Sequence, residues 1–255
     1  MTRRPGFPAR MDTGAPQPPR RTPAPAAGQA PAAAPSGYGL DSQAVRDRMV
    51  QKLAAQGIAD ARVLAAMRAV QRHRFVDSAL VNQAYEDTSL PIGLGQTISK
   101  PSVVARMIAL LLGGRTDASG RLGRVLEVGT GCGYQAAVLG QVAAEVYSIE
   151  RLRGLHDRAR ENLRPFRLPN VHLLFGDGMA GFAQGAPYAG IIAAAGGEAV
   201  PAAWTDQLAE GGRIVAPMVM PQGGQALVLL EKNAGRLTRT ILEGVHFVPL
   251  KSGIA

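Results

Sequence analysis

The stretch Val125-Leu126-Glu127-Val128-Gly129-Thr130-Gly131-Cys132-Gly133-Tyr134 passes from an apolar run into three glycines spaced two apart. Its first four residues, three of them apolar, have the composition of a strand buried on both faces of a parallel sheet. Glycine lets the turn that follows take positive φ and lets a ligand lie against bare backbone. Gln135-Ala136-Ala137-Val138-Leu139 then supplies good helix formers, so a helix opens with its unpaired N–H groups facing the turn. Glu150, sixteen residues past Tyr134, ends a second apolar strand, Val146-Tyr147-Ser148-Ile149. An acid about 20 residues beyond a glycine turn is where a βαβ nucleotide fold binds a ribose hydroxyl pair. The competing reading is a plain strand-to-helix turn with an unrelated acid at a strand end. The register of turn, helix and acid favours the nucleotide site.

The spacing narrows the nucleotide. A dinucleotide fingerprint reads G-x-G-x-x-G, whereas this turn reads G-x-G-x-G with Glu127 two residues before the first glycine. No G-K-[ST] follows, which argues against a phosphate-cradling loop. Glu-x-Gly-x-Gly-x-Gly resembles the first motif of class I S-adenosylmethionine-dependent methyltransferases. That resemblance implies S-adenosyl-L-methionine as cofactor and leaves the acceptor open.

The chain has 255 residues, enough for one large domain or two small ones, with net charge +9 and 46% hydrophobic residues. A single cysteine excludes an internal disulfide framework and a multi-thiolate metal site, and no metal is expected. No apolar run approaches the roughly 18 residues of a membrane span. Residues 1–38 hold half of the 18 prolines, and five arginines against Asp12 carry +4 of the charge. Such a segment buries too little apolar surface to offset its ordering entropy, so it is expected to be a disordered tail. Scattered arginines without interleaved aromatics favour a solvated tail over a nucleic-acid arm. The segment lacks the apolar centre of a secretory signal, which points to the cytoplasm.

Residues 39–255 read as a single catalytic domain, with helices and a substrate loop over 39–120 and a cofactor-binding sheet over 121–255. Val45, Met49 and Leu53 recur every four residues before Gly57, and Val63, Leu64, Met67 and Val70 form a second amphipathic face. These two helices are expected to pack over the main sheet. Tyr85 to Pro101 combines Gly and Pro with hydroxyls, the composition of an ordered loop. Ser99 precedes a helix whose apolar face is Val103, Val104, Met107, Ile108 and Leu111. An N-cap role worth about 1 kcal/mol would by itself account for a serine there. Val171–Phe175, Ile191–Ala195 and Arg213–Met218 read as further buried strands. Gln225–Glu231 and Thr238–Val248 form a terminal pair joined around Asn233-Ala234-Gly235.

Leu90-Pro-Ile-Gly-x-Gly-Gln-Thr-Ile-Ser-x-Pro, followed by Val-Ala-Arg-Met at 104–107, resembles the protein-L-isoaspartate O-methyltransferase family. Arg72-His73-x-Phe75-Val76, Ala84-Tyr85-x-Asp87, Gly176-Asp177-Gly178, Gly211-Gly212-Arg213 and Phe247-Val248-Pro249-Leu250 match as well. The resemblance runs from about Asp41 to Leu250 with its motifs in order. It implies an α/β fold: a Rossmann-like seven-stranded methyltransferase sheet, mostly parallel with an antiparallel edge strand. Helices would lie on both faces, with extra helices at the N-terminus. Ala189-Gly190-Ile191-Ile192-Ala193-Ala194-Ala195 departs from the family's Asp-Ala-Ile-Ile-Val-Thr-Ala. Gly196-Gly197 stands where Pro-Pro often follows, and Cys132 replaces a common serine.

The resemblance also implies an activity: methyl transfer to the free α-carboxylate of isoaspartyl residues in damaged proteins and peptides, starting repair through a succinimide. A carboxylate is already ionised at pH 7, so no general base is required, and catalysis rests on proximity and orientation. Hydroxyls suit that task, which singles out Ser99 with Thr97 beside it. Glu127, Gly129, Thr130, Gly131 and Gly133 would form the cofactor turn. Glu150 would hold the ribose, and Asp177 with the Gly178 backbone would hold the adenine. A monomer is expected, without a specific nucleic-acid partner or membrane. Two other readings compete. A methyltransferase acting on a nucleic acid or a small molecule would use the same turn. Against the nucleic-acid acceptor, the chain has no Asn/Asp-Pro-Pro-Tyr/Phe tetrad, and its one cysteine lies in the turn rather than in a Pro-Cys pair. A non-catalytic cofactor-binding protein would fit the altered Ala189–Gly197 region.

Overall fold

The computed structural model describes residues 43–255, so the tail expected over 1–38 lies outside the described residues. Two helices come first, α1 (Gln43–Ala55) and α2 (Ala61–Ala69). Asp60 caps α2 by accepting from the Arg62 N–H. A short hairpin follows, β1 (Leu90–Gly93) and β2 (Gln96–Ile98), and then α3 (Pro101–Leu112). The remaining chain alternates β3 (Leu122–Val128), α4 (Tyr134–Val142), β4 (Ala143–Glu150), α5 (Arg153–Leu163), β5 (Val171–Phe175), β6 (Tyr188–Ala193) and α6 (Ala202–Asp206). It closes with β7 (Leu208–Val219), β8 (Gln225–Asn233) and β9 (Arg236–Val245).

Seven strands form the main sheet in the order β5-β4-β3-β6-β7-β8-β9. Neighbours from β5 through β7 pair in parallel, while β8 runs against both β7 and β9. The antiparallel edge expected from the terminal strand pair is therefore built by β8 and β9. The chain leaves β3 for β4 on one side and returns to β6 on the other, a switch point that opens a crevice beyond the strands' carboxyl ends. Central β3 shows why a continuous apolar run suits this position: Val125 and Leu126 are both fully buried, one in the core on each face of the sheet.

One face carries α1 through α5, with Leu111, Leu139 and Leu155 in its core. The other is covered more thinly by short turns and α6, around Trp204, Tyr188 and Phe182. Trp204 is buried, and its indole N–H donates to the Gly178 carbonyl at 2.8 Å. The expectation that α1 and α2 pack over the sheet is corrected in one respect. Both rest on α3, and α2 also on α4, as an outer layer over helices that already cover that face.

The segment read as an ordered loop closes into the β1–β2 hairpin, with Leu90 opposite Ile98 and Pro91 opposite Thr97. Gly93, Leu94 and Gly95 make its tip, all at positive φ. Ser99 does not cap the following helix. Lys100 occupies the cap position without a side-chain bond, and Pro101 begins α3. Capping comes instead from Asp87, whose carboxylate accepts from the Ser102 N–H at 2.8 Å. Freed of that duty, Ser99 can face elsewhere.

Candidate active site

A cavity of about 470 Å³ opens at the crevice between the hairpin and the glycine turn, within the usual range for a small-molecule site. The hairpin contributes Gln96, Thr97, Ile98 and Ser99 to one wall. Gly129, Thr130, Gly131, Cys132 and the start of α4 form the wall opposite, and Glu150, Gly178, Ala194 and Ala195 line the side between.

The turn takes its shape from three left-handed glycines, with φ of +91° at Gly129, +57° at Gly131 and +91° at Gly133. The Gly129 and Thr130 N–H groups both donate to the Ile149 carbonyl, which ties the turn to β4. Gly133 caps α4 without a side-chain bond, so the first N–H groups of that helix face the crevice. Glu150 is 5% exposed and engaged through both oxygens. Oε2 accepts from the Gly131 N–H and Oε1 from the Leu152 N–H, each at 2.9 Å. The carboxylate is thus fixed in orientation at the cavity wall.

Among the expected site residues, Thr97, Ser99, Gly129, Thr130, Gly131, Glu150 and Gly178 converge on this cavity. Glu127, Gly133 and Asp177 do not line it, for three different reasons. Glu127 is fully buried beneath the turn, where it accepts from the Ser148 hydroxyl, which also shares a 2.6 Å bond with the Thr130 hydroxyl. Burial pushes its carboxyl up to about 8, against the pull of Ser148 and Gln135 toward the ionised form. It is therefore protonated at neutral pH and supports the turn from below. Gly133 faces α5, where a Cβ would lie 3.0 Å from Leu163 and 3.4 Å from Ala159. Asp177 accepts from the Met179 N–H at 2.8 Å and from the Gly253 N–H at 2.7 Å. Its neighbour Gly178 is the residue that reaches the cavity. The Glu127 and Asp177 side chains thus stand behind the cavity wall, each bonded to neighbouring protein groups.

That Gly253 contact belongs to a strap that composition did not disclose. Val248, Pro249, Leu250 and Lys251 line the cavity from above. The strap is tied at both ends. Gly196 donates to the Val248 carbonyl and accepts from the Leu250 N–H, each at 2.8 Å. Farther along, Arg153 N–H donates to the Ala255 carbonyl, and the Ala255 N–H donates to the Arg151 carbonyl. The Phe247-Val248-Pro249-Leu250 motif was the one sequence signal for this element. The Gly196-Gly197 departure gains a reason here: both residues donate backbone N–H bonds that proline lacks. A Cβ at Gly196 would also lie 2.5 Å from Gln225, whose side-chain amide bonds the Phe247 backbone both ways. Ala194 stands where the family pattern has threonine, so that wall lacks a hydroxyl. Burial pushes the Cys132 thiol up to about 11, leaving it uncharged.

Among the described residues no cluster of His, Cys, Asp or Glu could hold a metal ion, and no helix is long and apolar enough to cross a membrane. The family model described as protein-L-isoaspartate(D-aspartate) O-methyltransferase matches residues 44–255. A protein-L-isoaspartate O-methyltransferase of Methylibium petroleiphilum is 63% identical over 221 residues, covering 86% of this chain and 81% of the relative. One of Leptothrix cholodnii is 59% identical over 220 residues, covering 86% and 77%. A solved protein-L-isoaspartate O-methyltransferase superposes with a TM-score of 0.73 at 27% identity, over 82% of this chain and 67% of that one. A Plasmodium falciparum structure described as a putative member, in complex with S-adenosyl-L-homocysteine, superposes with a TM-score of 0.67 at 24% identity, over 81% and 98%; it bears on the fold alone. With the family model spanning nearly all of the described residues, this chain belongs to the protein-L-isoaspartate(D-aspartate) O-methyltransferase family.

Proposed function

We propose that this cavity brings S-adenosyl-L-methionine together with the free α-carboxylate of an L-isoaspartyl residue. The chain is then a protein carboxyl O-methyltransferase that starts the repair of isoaspartyl-containing proteins and peptides. The observation that carries this reading is the facing of two walls across one cavity, a hairpin offering hydroxyls and a glycine turn ending at a fixed carboxylate. The donor set fits the cofactor. Glu150 is pre-oriented for two vicinal hydroxyls, the α4 N-terminus and the glycine backbone present N–H groups, and Gly178 offers bare backbone at the adenine end.

When bound, the cofactor supplies an electrophilic methyl group on a sulfonium. The residues of this chain hold and orient the partners. Thr97 and Ser99 donate hydroxyl hydrogen bonds to the acceptor carboxylate and aim one oxygen across the cavity. No residue has to remove a proton, because a carboxyl with a reference pKa near 4 is ionised at pH 7. Hydroxyl partners suit this better than a tight ion pair, which would lower the nucleophilicity of the carboxylate. The strap over Val248–Lys251 limits water above the reacting atoms. Main-chain recognition by the hairpin would tolerate varied flanking sequences. We further propose a cytoplasmic monomer with no specific nucleic-acid partner, and residues 1–38 as a tail dispensable for the reaction.

The test supplies methyl-labelled cofactor with an isoaspartyl peptide and, separately, its aspartyl twin. Label should enter the isoaspartyl peptide as a base-labile ester and leave the twin unlabelled. Equal labelling of both, or labelling of RNA alone, would overturn the reading.

A further inference from the structure

Donor and acceptor lie on separate pieces of chain, and something must set the distance between them. The glycine turn hangs between β3 and α4, while the hairpin stands outside the main sheet. Both touch α5, along one stripe. At its first turn, Gly154 leaves room for the hairpin tip: a Cβ there would lie 3.2 Å from Leu94 Cδ1. Four residues on, Arg158 Nη1 donates to the Ile92 carbonyl of β1 at 2.6 Å. Four residues further, Asn162 Nδ2 donates to the Cys132 carbonyl inside the glycine turn at 2.9 Å. Residues four apart lie on one helix face, so the three contacts form a single line. Leu163 and Ala159 press the same helix against Gly133, and Ile92 in turn approaches Gly131, where a Cβ would lie 3.2 Å from its Cδ1.

We infer that Arg158 and Asn162 are positioning residues for methyl transfer, a two-point clamp on α5 that fixes the acceptor hairpin against the donor turn. Neither side chain lines the cavity, so neither is catalytic by contact. Their effect is geometric. Where catalysis rests on alignment, a shift of about 1 Å at the reacting atoms can cost about a hundredfold in rate. The carbonyls they hold belong to Ile92, just before the hairpin tip, and Cys132, between two left-handed glycines. Ile92 is otherwise held by the hairpin ladder on either side of it and Cys132 by the turn's own bonds to β4, so the α5 side chains are what joins the two pieces to one rigid helix. This inference rests on the methyltransferase reading above and names residues that set its geometry.

The experiment compares the full chain with Arg158→Ala, Arg158→Lys, Asn162→Ala and the double variant. Four quantities are read: melting temperature, cofactor Kd by calorimetry, single-turnover methylation of an isoaspartyl peptide, and amide hydrogen exchange in the cofactor-free protein. Arg158→Ala should lower the transfer rate about tenfold to a hundredfold, with cofactor Kd within threefold. Exchange should accelerate in residues 92–99 and not in β3 or β4. Arg158→Lys should recover part of the rate, since an ammonium can still donate to the Ile92 carbonyl. If the two residues are one clamp, the double variant should be little slower than the worse single variant. An unchanged rate in Arg158→Ala, or losses in rate, cofactor binding and melting temperature that all follow global destabilisation, would overturn the clamp. Failure of the parent protein to methylate isoaspartyl peptide would instead overturn the functional reading beneath it.

Discussion

Replacing Glu150 by glutamine keeps the shape of the side chain and removes one acceptor. In the structure each carboxylate oxygen takes a backbone N–H, from Gly131 and from Leu152, at 2.9 Å, and the group is 5% exposed. An amide has only one carbonyl oxygen, so its NH₂ must face one of those two donors. The ribose hydroxyls then meet a neutral acceptor held in a changed orientation. A hydrogen bond to a charged group is worth about 1.5–3 kcal/mol, so cofactor Kd should rise roughly tenfold to a hundredfold. Glu150→Ala should fall in the same range. Glu150→Asp, one methylene shorter, cannot reach both N–H groups at once and should also weaken binding. Calorimetric titration with S-adenosylmethionine and S-adenosylhomocysteine reads this directly, with circular dichroism to verify folding. A folded Glu150→Ala protein with cofactor Kd within twofold of the parent would refute the assignment.

Glu127 gives a pH prediction. Its carboxyl is raised to about 8 in the fold from an ordinary value of 4.5, so the native state binds the extra proton between those limits. Stability should be full below about pH 4.5 and decline toward pH 8, by up to about 1.4 kcal/mol per pH unit from this group alone. Glu127→Gln should flatten that slope in denaturant unfolding at several pH values, and an unchanged slope would contradict a buried neutral acid. Deleting residues 252–255 removes the Gly253 N–H on Asp177 and both Ala255 bonds. S-adenosylhomocysteine should then dissociate several-fold faster in stopped flow, and an unchanged off-rate would remove the strap from cofactor retention. Deleting residues 1–37 should leave melting temperature and peptide methylation nearly unchanged, on composition alone. A loss of several degrees would show that the segment docks on the domain.

The parts of this site legible in the sequence are those whose chemistry is local. The switch from a buried apolar run to spaced glycines marks β3 and its turn, and Glu150 follows at the end of the next strand because parallel strands present their carboxyl ends together. The seven strands of the main sheet, the terminal pair among them, are readable for the same reason. What the sequence concealed depends on contacts between distant segments. Ser99 sits where a cap is expected, yet Pro101 moves the helix start and Asp87, 15 residues upstream of Ser102, satisfies its N–H. Glu127 and Asp177 carry the motif's acids but spend them on Ser148, Met179 and Gly253. The clamp on α5 joins side chains to main-chain carbonyls 66 and 30 residues away, and a carbonyl leaves no trace in residue type. The hairpin has the composition of a loop because its strands, Leu90–Gly93 and Gln96–Ile98, are too short for an alternating pattern.

The most direct measurement is Ser99→Asp, with cofactor binding and turnover read on one preparation. Aspartate caps helices as well as serine does, and Ser99 is half-buried at the cavity wall without a cap to lose. An added carboxylate therefore threatens little but the acceptor. Repulsion between two carboxylates about 4 Å apart is roughly 4 kcal/mol at an effective dielectric of 20, a loss near a thousandfold in rate. Ser99→Ala should cost less, about 1–2 kcal/mol for one hydrogen bond to a charged group. The expected result is a folded Ser99→Asp protein that binds S-adenosylmethionine like the parent and barely methylates isoaspartyl peptide. The same protein methylating at close to the parent rate would show that the acceptor carboxylate does not meet this hairpin.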